Sequence, residues 1–522
     1  MAWIFFLYLA VLLLIGVATR RAARGMSGFL LGDRRAGPWT TALSYEATAY
    51  SGWLMLGFPG RAFSRGLAAV WVGLACVLGD ALNWVGVARR LRQQTAQLGA
   101  LTIPEYLERR FARPGGTAVS ATASLAILIF MTIYLWSQCV AGGKLLATVL
   151  AMDYRLASSI SALVIIVYTF QGGYRALVWT DCVQATMAVV ALLVLPLACL
   201  YQLGGWSGLA VVLDRASADA SAAWASLPVG GHLGEWFAGL SGLALFTFLF
   251  EDAGVGIGYL GQPHICARFM AIRDARHLWA ACVASIVWAA LVCAGAVGVG
   301  LVTHRWFRPV PAPAGSGGTI APVDPRPHLA DPEEALPRLA IAVFPEWLAG
   351  FVVSAIMAPI MSSSASFLLS ASSSLSEDVY PHLLRRGANE KELVLVARLG
   401  TLAIGLIALG LALDTNPLDK RSAVYSLVLY AWGGLSGCFS APIVMALYYP
   451  RMTRAGCLAG MIIGAATTLV WHNVPALAGV AYEVIPAIIL SAMAIIVVSQ
   501  VTRPTPGAHE VGAAVSGEES AS

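Results

Sequence analysis

The chain has 522 residues, 58% of them hydrophobic and only 12% charged, with a formal net charge of +5 and a mean hydropathy of +0.74. So apolar a composition exceeds what a soluble domain needs to fill its core, and it predicts an all-α polytopic protein seated in a lipid bilayer. A nucleic-acid binder is excluded, because the basic excess lies in loops between apolar stretches and forms no basic face.

Apolar stretches of about 20 residues predict about thirteen spans. They lie near 2–18, 38–60, 66–88, 117–150, 154–172, 183–203, 236–262, 278–301, 347–376, 394–413, 422–449, 455–472 and 482–501. The first is followed by Arg20-Arg21 and lacks a small-residue cleavage site, which predicts a retained helix. Lys and Arg are more numerous in the loops that face the cytoplasm when the N-terminus is outside, so the chain is oriented N-out and C-in.

The second span has a weak middle, Ala47-Thr48-Ala49-Tyr50-Ser51-Gly52, preceded by Glu46. At membrane depth a broken helix is tolerated only where protein or water satisfies the freed backbone, so the weakness points to a binding site. The seventh span carries Gly254, Gly256, Gly258 and Gly261 after Glu251-Asp252. Each glycine costs about 1 kcal/mol relative to alanine in a helix interior, which predicts a second break within 254–261. Two interrupted helices in corresponding positions are the pattern of an inverted-repeat transporter; close helix packing is the alternative use of such glycines. Gly256 to Gly261 also fits G-x-G-x-x-G, but inside an apolar helix with no preceding strand that spacing does not bind a nucleotide.

Residues 302–346 are expected to form an extracellular loop whose segment Arg308–Pro337 is rich in Pro, Gly and Asp, and Ser362-Ser363-Ser364-Ala365-Ser366 stands in the ninth span. Hydroxyl and carbonyl oxygens suit a small alkali cation, whereas serines that bond back to their own helix are the ordinary alternative. Gly456, Gly460 and Gly464 make a regular small-residue packing face, and 502–522 is a disordered cytoplasmic tail. The nine cysteines show no Cys-x-x-Cys pair, which argues against disulfides or a metal cluster. No Walker A sequence occurs, and no nucleophile, base and orienting partner can be assembled, so neither an ATP-driven pump nor an enzyme is expected, and no organic cofactor.

Acids within spans cost about 2.5–3.5 kcal/mol each and are functional candidates by default. They are Glu46, Asp80, Asp181, Glu251 and Asp252, with Asp80 and Asp181 readable also as anchors near a surface and Lys144 and Arg398 as salt-bridge partners.

The stretches LGDRRAGPWTTALS, SGWLMLGFPG, ALNWVGVARRLR, LTIPEYLERRF, TIYLWSQCVAGGKLL, YTFQGGYRALVWTDCVQA, IGYLGQPHICARFM, SAIMAPIMSSSASFLLSASSSLSEDVY, KELVLVARLG and AWGGLSGCFSAP resemble the sodium:solute symporter family, above all its bacterial sodium/proline branch. The resemblance implies a leucine-transporter-like 5+5 inverted repeat with one extra N-terminal and two extra C-terminal helices. The transmembrane domain would then cover 1–501, with repeats at about 38–203 and 236–449, in a bacterial cytoplasmic membrane.

It implies a sodium ion held by the carbonyls of Ala47, Tyr50 and Pro359 and the hydroxyls of Ser362 and Ser363. A small amino acid, proline first, would lie among Ser51, Gly52, Trp53, Tyr134, Ser137, Val255, Gly256, Gly258, Tyr259 and Trp432, its carboxylate on amides freed by the broken helix. Two positions depart from the branch: Ala49 replaces an Asp important for sodium, and Val255 replaces a Trp. Glu46, one turn before Ala49, is then a candidate to take over charge compensation, and Glu46, Asp181, Glu251 and Asp252 are the coupling candidates. The expected function is cation-coupled uptake, with Na+ ahead of H+. The alternatives are a proton-coupled symporter of another, possibly basic, amino acid and a non-transporting solute sensor.

Overall fold

The computed structural model describes residues 2–19, 28, 30–111, 118–169, 174–223, 233–237, 241–309, 327–385, 387–417, 419, 423–478 and 480–502. Its principal helices are α1 (Ala2–Thr19), α2 (Pro38–Ala49), α3 (Phe58–Arg65), α4 (Val70–Asn83), α5 (Ala118–Leu150), α6 (Tyr154–Thr169) and α7 (Tyr174–Gln202). They continue with α8 (Gly242–Ile257), α9 (Pro263–Ala271), α10 (Leu278–Thr303), α11 (Glu346–Ser373), α12 (Glu390–Asp414), α13 (Val424–Tyr448), α14 (Arg454–Asn473) and α15 (Val484–Val501). Among the described residues the strands are one short parallel pair, Arg308–Pro309 with His328–Leu329. Nine helical segments among them are long and apolar enough to cross a bilayer, and α1 and α6 hold shorter apolar stretches. The spans expected at 38–60 and 236–262 are the broken pairs α2/α3 and α8/α9.

The first break falls where the sequence is weak. Pro38 opens α2, where its missing N–H costs no bond, and Tyr50 leaves the helix at φ −103°, ψ 93°. A π-helical turn, Trp53–Gly57, then leads into α3.

The second break is displaced from the expected place. Helix α8 runs through Gly254 and Gly256, tightens into a 3-10 turn over Gly258–Gly261, and only at Gln262 (φ −87°, ψ 107°) does the chain become extended. Pro263 is the cause, since a residue before proline is pushed out of the helical region. Gly254 and Gly256 serve packing instead: a Cβ on Gly256 would lie 2.1 Å from the Ala75 carbonyl oxygen, and one on Gly79 would lie 2.0 Å from that of Gly256. Helices α4 and α8 therefore touch backbone to backbone, which only small residues allow. Gly456, Gly460 and Gly464 act likewise, facing Ser499, Ile495 and Gly437.

Burial sorts the helices into a centre and a rim. The apolar window of the segment containing α11 is 94% buried, against 33% for α12. Leu395, Leu399, Leu402 and Leu406 of α12 are exposed, as befits a surface that meets hydrocarbon chains.

Of the 302–346 loop, residues 310–326 lie outside the described residues, and the returning part is tied down. Lys144 Nζ stands 2.7 Å from Asp331 Oδ2 and 2.6 Å from Glu333 Oε2. Glu333 also accepts the Val424 and Tyr425 amides at 3.0 and 2.8 Å, so a loop carboxylate caps the first turn of α13. Lys144 thus pairs with the loop and not with the acids of the broken helices.

Replacing Gly79 by alanine is expected to destabilise the protein by about 1–3 kcal/mol through overpacking, read as a lower thermal midpoint in detergent. Gly86→Ala, where an added Cβ meets nothing within 4 Å, should leave the midpoint unchanged or slightly raised.

Candidate functional site

The first break brings α2 against α11 and α7. Ser362 Oγ stands 2.6 Å from Asp181 Oδ1 and 3.2 Å from the Ala47 carbonyl oxygen. A hydroxyl has one proton, so it can serve only one of these two acceptors. The other carboxylate oxygen of Asp181 accepts from Ser44 Oγ at 2.5 Å and faces Arg268 Nη2 at 3.5 Å. Arg268 is held by the Ser366 hydroxyl at 2.7 Å and the His264 carbonyl at 2.9 Å. Asp181 is fully buried within the protein and is the carboxylate of this oxygen cluster.

Of the five expected ion ligands, Ala47 and Ser362 are thus in mutual contact. Ser363 donates to the Pro359 carbonyl at 2.6 Å, a bond within its own helix that joins two more of the five. Tyr50 has left the helix, and the Leu54 amide that would return to it turns to the Ser51 carbonyl at 3.0 Å. Ser364 and Ser366 bond back to Ile360 and Ser362 at 2.5 and 3.1 Å, the ordinary use of a helical serine.

The other coupling candidates lie elsewhere. Glu46 is on a different face of α2, where its carboxyl accepts from Ser285 on α10, and the same hydroxyl lies 3.4 Å from Asp80 Oδ2. Both acids are wholly buried within the protein. Glu46 therefore does not join the Asp181 cluster. Glu251 and Asp252 are engaged by Arg61, whose Nη2 is 3.5 Å from Glu251 Oε1 and 2.9 Å from Asp252 Oδ1. The acidic pair that could have met a basic substrate already has its cation.

The expected substrate lining is largely assembled by the two breaks. Tyr259 meets Trp432 edge to face at 4.8 Å and faces Tyr50 at 6.3 Å, while Trp432 Nε1 donates to the Val255 carbonyl at 3.1 Å. Gly258 leaves room for that indole: a Cβ there would be 2.1 Å from Trp432 Nε1. Ser51, Gly52, Trp53, Tyr134 and Ser137 are all buried beside the first break. Gly256 is the exception, since it faces α4 at Ala75.

Three residues of this region escape a reading of the sequence. Gln138 accepts the Gly52 amide at 2.9 Å, so one freed amide of the break already has a partner. Gln262 donates to the Gly258 and Trp432 carbonyls and the Ser436 hydroxyl at 3.3, 3.2 and 2.8 Å. His264 lies among Tyr134, Phe367 and Trp432. A lone polar residue in an apolar span was the available signal for Gln138; His264 had only its place after the break. A cleft bounded by Tyr174, Pro263, Arg268, Met270 and Ser373 opens beside α9, and Arg268 joins it to the Asp181 cluster.

A family model described as the sodium:solute symporter family matches residues 29–464. The sodium/proline symporter of Haemophilus influenzae is 37% identical over 499 residues, covering 95% of this chain and 93% of that protein. The high-affinity proline transporter of Bacillus subtilis is 36% identical over 493 residues, covering 94% and 96%. Among solved structures, a substrate-bound, outward-open Na+-coupled sialic acid symporter superposes with a TM-score of 0.73 at 17% identity, over 96% of this chain and 98% of that one. That likeness is one of fold, a leucine-transporter-like membrane bundle.

Asp181→Asn, which removes a charged acceptor worth about 1.5–3 kcal/mol per bond, is expected to raise the sodium concentration for half-maximal uptake by roughly tenfold or more. Ser364→Ala, which loses only a bond to its own helix, should stay within about twofold. Sodium titrations of uptake in proteoliposomes check both.

Proposed function

Because the chain belongs to the sodium:solute symporter family, whose members are transporters and not enzymes, we propose that it couples inward sodium flux to uptake of proline by alternating access. The observation that carries this reading is the oxygen cluster of Ala47, Ser362 and Asp181 at the first break, beside an aromatic pocket made by both breaks. Sodium takes the Ala47, Tyr50 and Pro359 carbonyls and the Ser362 and Ser363 hydroxyls. Asp181 supplies the negative charge that Ala49 cannot, and it does so from α7. Weak, multi-oxygen coordination of this kind binds an alkali cation and still releases it.

Proline lies between Trp53, Tyr134, Tyr259 and Trp432, whose rings cover its apolar ring and exclude water. Its carboxylate turns to the backbone around Ser51 and Gly52, at the positive end of the half-helix that follows. The cleft at Arg268 gives the ion and the solute a way out once the far side has closed. The protein works in the bacterial cytoplasmic membrane with its N-terminus outside. Glu251 and Asp252 are engaged by Arg61 and leave no carboxylate there for a cationic side chain, which supports a small zwitterion over a basic amino acid.

Uptake of labelled proline into proteoliposomes tests the proposal, with an inward sodium gradient and an inward proton gradient imposed separately at equal membrane potential. Accumulation is expected with sodium and not with protons. Accumulation with protons alone would move coupling to the Glu46 and Asp80 region. None with either ion, together with ligand-dependent capture of a partner protein, would favour a solute sensor.

A further inference from the structure

Arg61 occupies a position that neither the ion cluster nor the substrate pocket uses. It stands on α3, the second half of the first broken helix, and its Nη2 reaches Asp252 on α8, the first half of the second, at 2.9 Å. Its guanidinium also lies over the ring of Tyr425 on α13, 4.7 Å from the centroid. Tyr425 in turn is stacked on Trp53, with centroids 6.2 Å apart and planes at 24°. One side chain therefore ties three elements together directly above a residue of the substrate lining. A planar guanidinium can do this because it bonds a carboxylate in its plane while offering its face to an aromatic ring.

The contact is buried on one side and open on the other. The Arg61 and Asp252 side chains are 11% and 2% exposed, whereas Glu251, 3.5 Å from the same nitrogen, is 39% exposed. Only one nitrogen and one oxygen of the central pair meet, and among the described residues Arg61 Nε and Asp252 Oδ2 have no hydrogen-bond partner. A permanent strut would be expected to use the bidentate fork, which is the stronger geometry. A single bond is more readily broken: Arg61 can release Asp252 as α3 and α8 separate.

We propose that Arg61 is the latch of the gate on the side that carries the 302–346 loop, closed by Asp252 and Tyr425 and opened when α3 parts from α8 and α13. The proposal rests on the alternating-access reading above. Arg61 is a positioning residue: it touches no substrate and sets which side of the membrane the pocket faces.

Two native thiols beneath the latch report on it, Cys76 and Cys293, both buried and beside Tyr50 and Tyr259. Purified protein in vesicles of known orientation is exposed to a membrane-impermeant methanethiosulfonate from one side or the other, and modification of these two cysteines is mapped by mass spectrometry. Arg61→Ala and Asp252→Ala should each speed labelling from the side that carries the 302–346 loop by on the order of tenfold and slow it from the opposite side, because the population moves between two states. The exchanged pair, Arg61→Asp with Asp252→Arg, should return both rates toward the parent. A role confined to stability would instead raise labelling from both sides, and that result, or unchanged rates in both alanine variants, would overturn the latch. If the alanine variants do not reach the membrane, Arg61→Lys replaces them, with a smaller shift in the same direction expected and equal rates overturning it. Labelling needs no transport, so a failure of proline uptake would count against the functional reading while the labelling pattern still judges the latch.

Discussion

A helix interrupted inside a bilayer must find partners for its exposed backbone within the protein, and that requirement organises this molecule. At the first break the Gly52 amide goes to Gln138 on α5, and the Ala47 carbonyl meets Ser362 on α11. At the second, the Gly258 carbonyl goes to Gln262 and Ser436, and the Val255 carbonyl to the Trp432 indole on α13. The helices that satisfy the two breaks are α5, α11 and α13, and these same helices wall the pocket. Site and scaffold are in this sense one solution: the polar side chains that make the breaks tolerable are the ones a small polar solute or an ion would meet.

Charge is distributed by the same logic. Burying an ion without compensation costs several kcal/mol, and each acid near the breaks is answered by a different local arrangement. Asp181 has two hydroxyls and the more distant Arg268; Asp252 has Arg61; Glu333 has Lys144 and two amides. Glu46 and Asp80 share one hydroxyl, that of Ser285. Each arrangement spans at least two elements, so relative movement of those elements changes its energy. This is the property that the proposed alternation between two packings would use.

Much of the fold was legible in the sequence because bilayer spans announce themselves by length and hydropathy, and the first break by its small and polar residues. The second break was read a few residues early: the glycines of α8 are packing contacts, and the signal that decided the place was Pro263, which acts on the residue before it. Depth was harder. Asp80 and Asp181 each have polar neighbours in sequence, which resembles a helix end, yet both are fully buried. The pairing of Arg61 with Asp252 across 191 positions has no local trace, since a charge in a half-helix is equally consistent with water, lipid headgroup or partner. The family resemblance supplied a ligand set, but it could not reveal that the carboxylate beside the serines comes from α7 in a chain with alanine at position 49.

The tie between Lys144 and Glu333 bears on how the protein is made. The lysine lies in α5 with its side chain 5% exposed in the finished structure, but its carboxylate partner is 189 residues further along the chain. At synthesis rates of about 5–20 residues per second, roughly 10 to 40 s separate the two. Through that interval the flexible stem of the lysine lets its ammonium reach headgroups and water. The same carboxylate caps α13 only after a further 91 residues have been made, so the second half of the chain must be present before Glu333 holds all its partners.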